Sequence, residues 1–289
     1  MSKFINPFTD YGFKLIFGRE VSKNLLIEFL NDLLEGERVI TDLTFLNNEQ
    51  LPDYPEGRGI IYDVYCTTDT GEKIIVEMQN RMQSNFKERS IFYLSRAIVN
   101  QGRTGHDWKF EIKAVYGVFL MNFIMDKNIK LRTDVILADK ETGELFSEKF
   151  RQIFIALPLF KKSEEECETN FERWIYILNN METLKRMPFK ARKAVFEKLE
   201  DIADVASMSP EDRERYDNSV KVYRDYLVTM DAAEQKGIKE GLEKGIEKGM
   251  KEGTQRAQLK IARNMKAKGI DNESIAECTD LPLSIIEGL

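Results

Sequence analysis

GIIYDVYCTTDTGEKIIVEMQN, residues 59–80, reads as a β-hairpin that carries Asp63 on one strand and Glu77 and Gln79 on the other. Its tip, Asp69-Thr70-Gly71, suits a three-residue loop in which Gly71 takes the left-handed position closing a type I turn. Pairing Thr68 with Glu72 across that loop puts Tyr65 opposite Ile75 and Asp63 opposite Glu77. Opposed residues share a face of the sheet, so both carboxylates point the same way, and Gln79, two residues on, joins them. A slip of one residue would send the two acids to opposite faces.

Facing carboxylates with side-chain roots about 5 Å apart repel each other unless a cation or a shared proton compensates. Oxygen ligands of this kind suit Mg²⁺, which takes one or two carboxylates and keeps several waters. The competing reading is a solvent-facing hairpin whose alternate positions are simply polar.

Working outward toward the N-terminus, Asn6 to Asp10 reads as an extended or turn-like entry to Tyr11-Gly12-Phe13-Lys14-Leu15-Ile16-Phe17-Gly18. Leu25, Leu26, Phe29, Leu30, Leu33 and Leu34 recur at helical spacing, with Ser22 as N-cap and Gly36 as the stop. Val39 to Phe45 reads as a strand, and 47–59 as a polar, Pro-containing loop. Beyond the hairpin, Ser84 or Asn85 caps a helix to about Asn100, made basic by Arg81, Lys87, Arg89 and Arg96. After a loop at 102–106, Glu111 to Phe123 is apolar enough for a buried central strand. Thr133 to Leu137 and Gln152 to Leu157 are further strand candidates, with a turn at 140–143.

Past Phe160 the chain becomes acidic and helical. Phe171, Trp174, Ile175, Ile177 and Leu178 form one apolar face, Pro188 opens a second helix through Leu199, and Ser209-Pro210-Glu211-Asp212 starts a third running to about Met230. Then Gly237, Gly241, Gly245, Gly249 and Gly253 recur every four residues, with Ile238, Leu242, Ile246 and Met250 beside them. Each Gly costs close to 1 kcal/mol of helix propensity against Ala. The stretch is therefore either a helix offering close backbone approach to a partner or a flexible, highly charged linker. Lys and Arg number ten and Glu four between 236 and 268, a net +6 that suits either weak phosphate tracking or a solvated face. Two short helices follow Gly269, capped by Asp271 or Asn272 and opened by Pro282, without basic or amide side chains in Leu283 to Glu287 to read base edges. The expected organisation is 1–160, 161–235, 236–268 and 269–289, with the C-terminal helices available for homo-oligomerisation.

Composition removes several chemistries. At 289 residues, with 42% apolar and 32% charged residues, the chain has material for a substantial core and a charged exterior. His106 is the only histidine, which removes most catalytic triads, His-metal endonuclease sites and zinc protease motifs; in a loop it reads as a polar surface residue. Cys66, Cys167 and Cys278 lie far apart and match no zinc spacing, so a reducing cytoplasm is expected. The leading residues lack a signal pattern, and Val115 to Met125 is too short to span a bilayer. A net charge of −6 argues against a generally basic nucleic-acid binder but leaves local patches open.

The order helix, strand, hairpin bearing Asp63 and Glu77-Met78-Gln79, basic helix, strand resembles the PD-(D/E)xK nuclease superfamily. More narrowly, with Asp10 to Lys14, Ile16 to Gly18, Leu26 to Leu34, Arg89, Tyr93 and the Gly-repeat tail, the chain is similar to the Rpn-like recombination-promoting nucleases, also labelled transposases. The resemblance implies an α/β, restriction-endonuclease-like αβββαβ core with a mixed central sheet, followed by an α-helical C-terminal region. It also implies Mg²⁺- or Mn²⁺-dependent endonuclease cleavage of DNA in recombination. Asp63, Glu77 and the main-chain carbonyl of Met78 would hold the metal, and Asp10 would add an acid unless it only caps its helix; Glu28 is a weaker candidate. Lys14, Lys87, Arg89 and Arg96 would meet phosphates, or else be solvated surface cations. Gln79 stands where the superfamily has lysine, supplying a dipole in place of a charge. A catalytically weak or inactive DNA-binding or oligomerisation module is the alternative. A DDE-type transposase does not fit, because it needs a third acid far beyond the first two.

Overall fold

The computed structural model describes residues 2–51, 59–103, 105, 108–190 and 193–289. His106 and most of the Pro-containing loop after Gln50 lie outside the described residues. The chain divides into two compact units, Met1–Tyr223 and Arg224–Leu289.

The first unit is built on a six-stranded mixed sheet. Helices α1 (Asp10–Phe17) and α2 (Lys23–Leu33) lead to β1 (Leu43–Phe45). Val39 to Asp42 do not join that strand, because Asn31 on α2 clamps Ile40 through both its main-chain N–H and its carbonyl. Two short strands, β2 (Glu49–Gln50) and β3 (Ile60–Ile61), pair with each other beside the sheet. The hairpin strands β4 (Val64–Thr68) and β5 (Lys73–Gln79) then pair with Tyr65 opposite Ile75 and Val64 opposite Val76, the register expected from the loop. Thr68 N–H donates to the Glu72 carbonyl at 2.9 Å, and Gly71 adopts φ +92° at the tip.

Helix α3 (Phe86–Val99) crosses from β5 to β6 (Val115–Met121), which runs parallel to β5 and is buried along its length. The hairpin β7 (Arg132–Ala138) and β8 (Leu145–Ala156) completes the sheet in the order β1-β4-β5-β6-β8-β7. Only β5-β6 and β6-β8 are parallel, so the sheet is mixed, as in a restriction-endonuclease-like core.

Alternation along the strands divides the core. Val64, Cys66, Ile74, Val76 and Met78 face one layer, packed with α1, α2, α4 (Asn170–Asn180) and α5 (Val195–Ala203). Tyr65, Ile75, Phe119 and Phe154 face the other, covered by Phe86, Leu94 and Ala97 of α3. Gly117 permits the close seating of α3, since a Cβ there would lie 2.5 Å from the Leu94 side chain.

Further local expectations change, among them the strand expected from Gln152, which already begins at Leu145. Ser22 occupies the N-cap of α2 but its hydroxyl donates back to the Arg19 carbonyl and caps nothing. The helix expected from Pro188 starts at Val195, because Phe189 takes φ +62° and breaks the run. The helix from Pro210 does not end near Met230: α6 runs Pro210–Ala267, through every glycine of the repeat. Ion pairs of the i,i+4 kind, such as Lys248 with Glu252 at 3.9 Å, offset part of the glycine cost.

Within the second unit, the end of α6 packs with α7 (Asn272–Thr279) and α8 (Leu283–Glu287) around Ala262, Ile275, Leu281 and Ile286. Asp271 caps α7, accepting from the Ser274 N–H at 2.9 Å.

Candidate active site

The site forms where the hairpin pairing ends. Asp63 sits one residue before β4, and the ladder continued by one step places it opposite Glu77. Glu77 takes part in the sheet and is only 3% exposed. The two acids interlock through the backbone: Asp63 N–H donates to Glu77 Oε1 at 3.1 Å, and Met78 N–H donates to Asp63 Oδ2 at 2.9 Å. Asn48 fixes the approach to β4, donating to the Asp63 carbonyl at 2.9 Å while its own carbonyl accepts from Tyr62 N–H.

Gln79 shares the face. Its amide donates to Glu77 Oε2 at 2.9 Å, and its carbonyl oxygen accepts from Arg89 Nη2 on the first turns of α3. Arg89 also donates to Gln83 Oε1 at 2.7 Å and lies over the Tyr93 ring, 5.5 Å from its centre. A chain of contacts therefore runs guanidinium, amide, carboxylate, and a positive charge stands one residue away from the position that lysine would occupy. Neither Gln83 nor Asn48 is marked by sequence spacing, since both hold their partners through turns.

Burial governs the electrostatics. Desolvation pushes Glu77 well above the ordinary carboxylate range, and the nearby Asp63 charge pushes it further. Asp63 is raised too, by desolvation first, against lowering contributions from the Met78 N–H, Lys14 and Arg89. A buried Glu77 and a half-buried Asp63 against Arg89 and the mutually neutralised Asp10–Lys14 pair leave an excess negative charge when both ionise. The pair must hold a proton or gain a cation, and a hard, oxygen-seeking divalent ion suits the donor set. Among the described residues no cluster of three or more His, Cys, Asp or Glu gathers at any point. Asp63 and Glu77 would therefore hold such an ion with main-chain oxygen and water.

The remaining candidates are placed as follows. Asp10 opens α1 but does not cap it, since Thr9 accepts from the Gly12 N–H. Asp10 pairs with Lys14 at 2.7 Å, and both charges act on Asp63. Lys87 is engaged by Asp126 at 2.9 Å, and Arg96 donates to the Leu51 carbonyl at 2.7 Å. Glu28 pairs with Lys193 at 2.7 Å, within the α2–α5 layer and apart from the pair.

Among known proteins, no curated protein and no solved structure matches the chain. A family model described as PD-(D/E)XK nuclease family transposase matches residues 7–233, which takes in the whole hairpin, α3 and the sheet. With that match across most of its length, the chain belongs to the PD-(D/E)XK nuclease family transposases.

Proposed function

We propose that the chain is a Mg²⁺- or Mn²⁺-dependent DNA endonuclease whose phosphodiester cleavage promotes recombination or transposition-like rearrangement. The observation that carries this reading is the interlocked pair of half-buried Asp63 and buried Glu77, on one face beside Gln79 and Arg89. Asp63, Glu77 and the Met78 carbonyl would hold the cation, which supplies a water acidified toward hydroxide and offsets charge on the phosphate. Gln79 holds the Glu77 carboxylate in place and couples it to Arg89. Arg89 brings the charge that the missing lysine would give, at the position where negative charge develops on the phosphate oxygens. Asp10 would add an acid beside the pair, and Lys14 and Lys87 belong at the rim, exchanging their present carboxylate partners for phosphate contacts. The setting is cytoplasmic, where the free thiols of Cys66, Cys167 and Cys278 persist. No described helix is long and apolar enough to cross a membrane.

Purified protein incubated with supercoiled plasmid, with and without Mg²⁺ or Mn²⁺, tests this reading against Asp63→Ala and Glu77→Ala. Metal-dependent nicking lost in both variants supports it; cleavage surviving both removes the site. Failure of every metal and substrate would favour the catalytically inactive module. Arg89→Ala is expected to cost about 100–1,000-fold in cleavage, the scale of one charge-stabilising donor. Adding Gln79→Lys to that variant should recover part of the loss.

Self-association through α6 is a second element of the proposal. Ile238, Leu242, Ile246 and Met250 are each more than half exposed, and nothing lies within contact distance of the repeat glycines. An antiparallel pair centred between Gly245 and Ile246 would set Ile238 against Gly253, Leu242 against Gly249 and Met250 against Gly241. It would also oppose Lys239 to Glu252, Glu240 to Lys251, Glu243 to Lys248 and Lys244 to Glu247. Sedimentation of the full chain should show a dimer that Gly245→Leu with Gly249→Leu dissociates; an unchanged monomer would contradict it.

A further inference from the structure

A second feature on the α3 side of the sheet is not used by the proposed chemistry. Where α3 ends and β6 begins, a cleft of about 890 Å³ opens between Gly71 at the hairpin tip, Gly102 and the start of β6. Among the described residues, Lys73, Arg103, Lys113 and Lys149 line it against one acid, Glu111. Among the described residues none of these cations has an ion-pair partner. This contrasts with Lys14 and Lys87, both of which are engaged. The Lys113 stem lies across Gly71, close enough that a Cβ on Gly71 would meet it at 3.3 Å.

Two aromatic rings stand among these charges. Trp108 and Phe110 have centroids 4.6 Å apart at an interplanar angle of 37°. Phe110 is 76% exposed and holds φ +58°, a left-handed conformation that costs a non-glycine residue about 1–2 kcal/mol. A large apolar ring kept in water on a strained backbone contributes little to the fold. Cations around an exposed Phe110 and a half-buried Trp108 match the needs of single-stranded nucleic acid, in which unstacked bases seek a π face and the backbone seeks positive charge.

The placement relative to the acids is favourable. Lys73 and Glu77 lie on the same strand with the same side-chain parity, four residues apart, so they face the same side roughly 13 Å from each other. One strand of nucleic acid can span both.

We propose that this cleft grips a single-stranded stretch of the DNA substrate, with bases on Trp108 and Phe110 and phosphates on Lys73, Lys113 and Lys149. The choice of DNA rests on the nuclease reading; the grip itself does not require cleavage. The cleft makes the protein prefer substrates with a frayed, displaced or unpaired strand next to the cut.

The test is fluorescence anisotropy of the full chain in EDTA, titrated against a labelled single strand and the blunt duplex of the same sequence. Single-strand binding tighter than duplex binding is expected. Phe110→Ala, at an exposed position that leaves the core untouched, should weaken single-strand binding about 5–100-fold and duplex binding less than 2-fold. Lys73→Ala with Lys113→Ala should weaken both and flatten the salt dependence. The proposal is overturned by equal or weaker binding of the single strand, or by single-strand affinity unchanged in Phe110→Ala. Glu77→Gln separates the two readings, since it should bind like wild type while cutting nothing. Binding intact in a wild-type protein that cleaves with no metal would remove the nuclease reading and leave the cleft.

Discussion

Two groups of carboxylates in the first unit meet opposite treatment. At the β7–β8 edge of the sheet, Glu37 from the turn after α2 and Asp134 on β7 are matched by Arg132 and Arg151, with Arg151 donating to Asp134 at 2.6 Å and Arg132 bridging both acids. Hydrogen bonds from Arg151, aided by Arg132, hold Glu37 below the usual carboxylate range; desolvation raises Asp134, but the same two arginines outweigh it. At the end of the hairpin, Asp63 and Glu77 face each other with Arg89 reached through Gln79 and with Lys14 already held by Asp10, and both are raised. The chain can build compensated carboxylates and does so where they serve the fold. Leaving one pair buried and under-compensated costs stability, as expected of a site kept for a ligand.

Substitution breaks the contrast most sharply in activity. Glu77→Gln is expected to cut plasmid cleavage by about 100-fold or more, the scale of losing a central electrostatic contact. Arg151→Ala should leave cleavage within about 2-fold. Stability should move the other way, read as thermal unfolding in EDTA. Arg151→Ala removes the hub of a half-buried network and should cost about 1–2 kcal/mol, between surface and buried values. At this size that lowers Tm by roughly 2–8 °C. Glu77→Gln relieves like-charge repulsion and should raise Tm by about 2–4 °C.

A smaller effect separates the two groups by pH. The folded Asp63–Glu77 pair keeps protons that the unfolded chain has already lost, so its contribution is full below the ordinary carboxylate range and declines as pH rises through the raised folded values. Glu37 and Asp134 behave inversely: their contribution is present above the ordinary range and is lost as pH falls through the lowered folded values. Urea unfolding in EDTA across pH should therefore show a fall between the ordinary carboxylate range and about 8, the folded value of Glu77, which Glu77→Gln reduces to the part that Asp63 keeps. The acid-side fall should shrink in Arg151→Ala. A single profile shared by both variants would contradict the distinction.

Much of the centre was legible because β-pairing has a period of two. Once Gly71 fixed the loop, the register carried Asp63 to Glu77 without further information. The buried run of β6 and the amphipathic α3 followed from apolar periodicity in the same way. The link from Gln79 to Arg89 was not legible, since it depends on how deeply α3 settles, and that is set by the missing Cβ of Gly117. The cleft beside Trp108 was hidden for a related reason, because its cations come from β5, the α3–β6 connection and β8. The glycine repeat left helix and linker open, and the structure takes the helix. Propensity summed over the stretch predicts interruption, yet α6 continues through it.

Calorimetric titration of Mn²⁺ into the full chain tests the central claim most directly, run at one pH in two buffers of different ionisation enthalpy. The buried pair predicts one saturable site whose occupation releases protons, seen as a buffer-dependent heat, and which disappears in Asp63→Asn with Glu77→Gln. Absence of binding, or binding of undiminished affinity in that double variant, would contradict it.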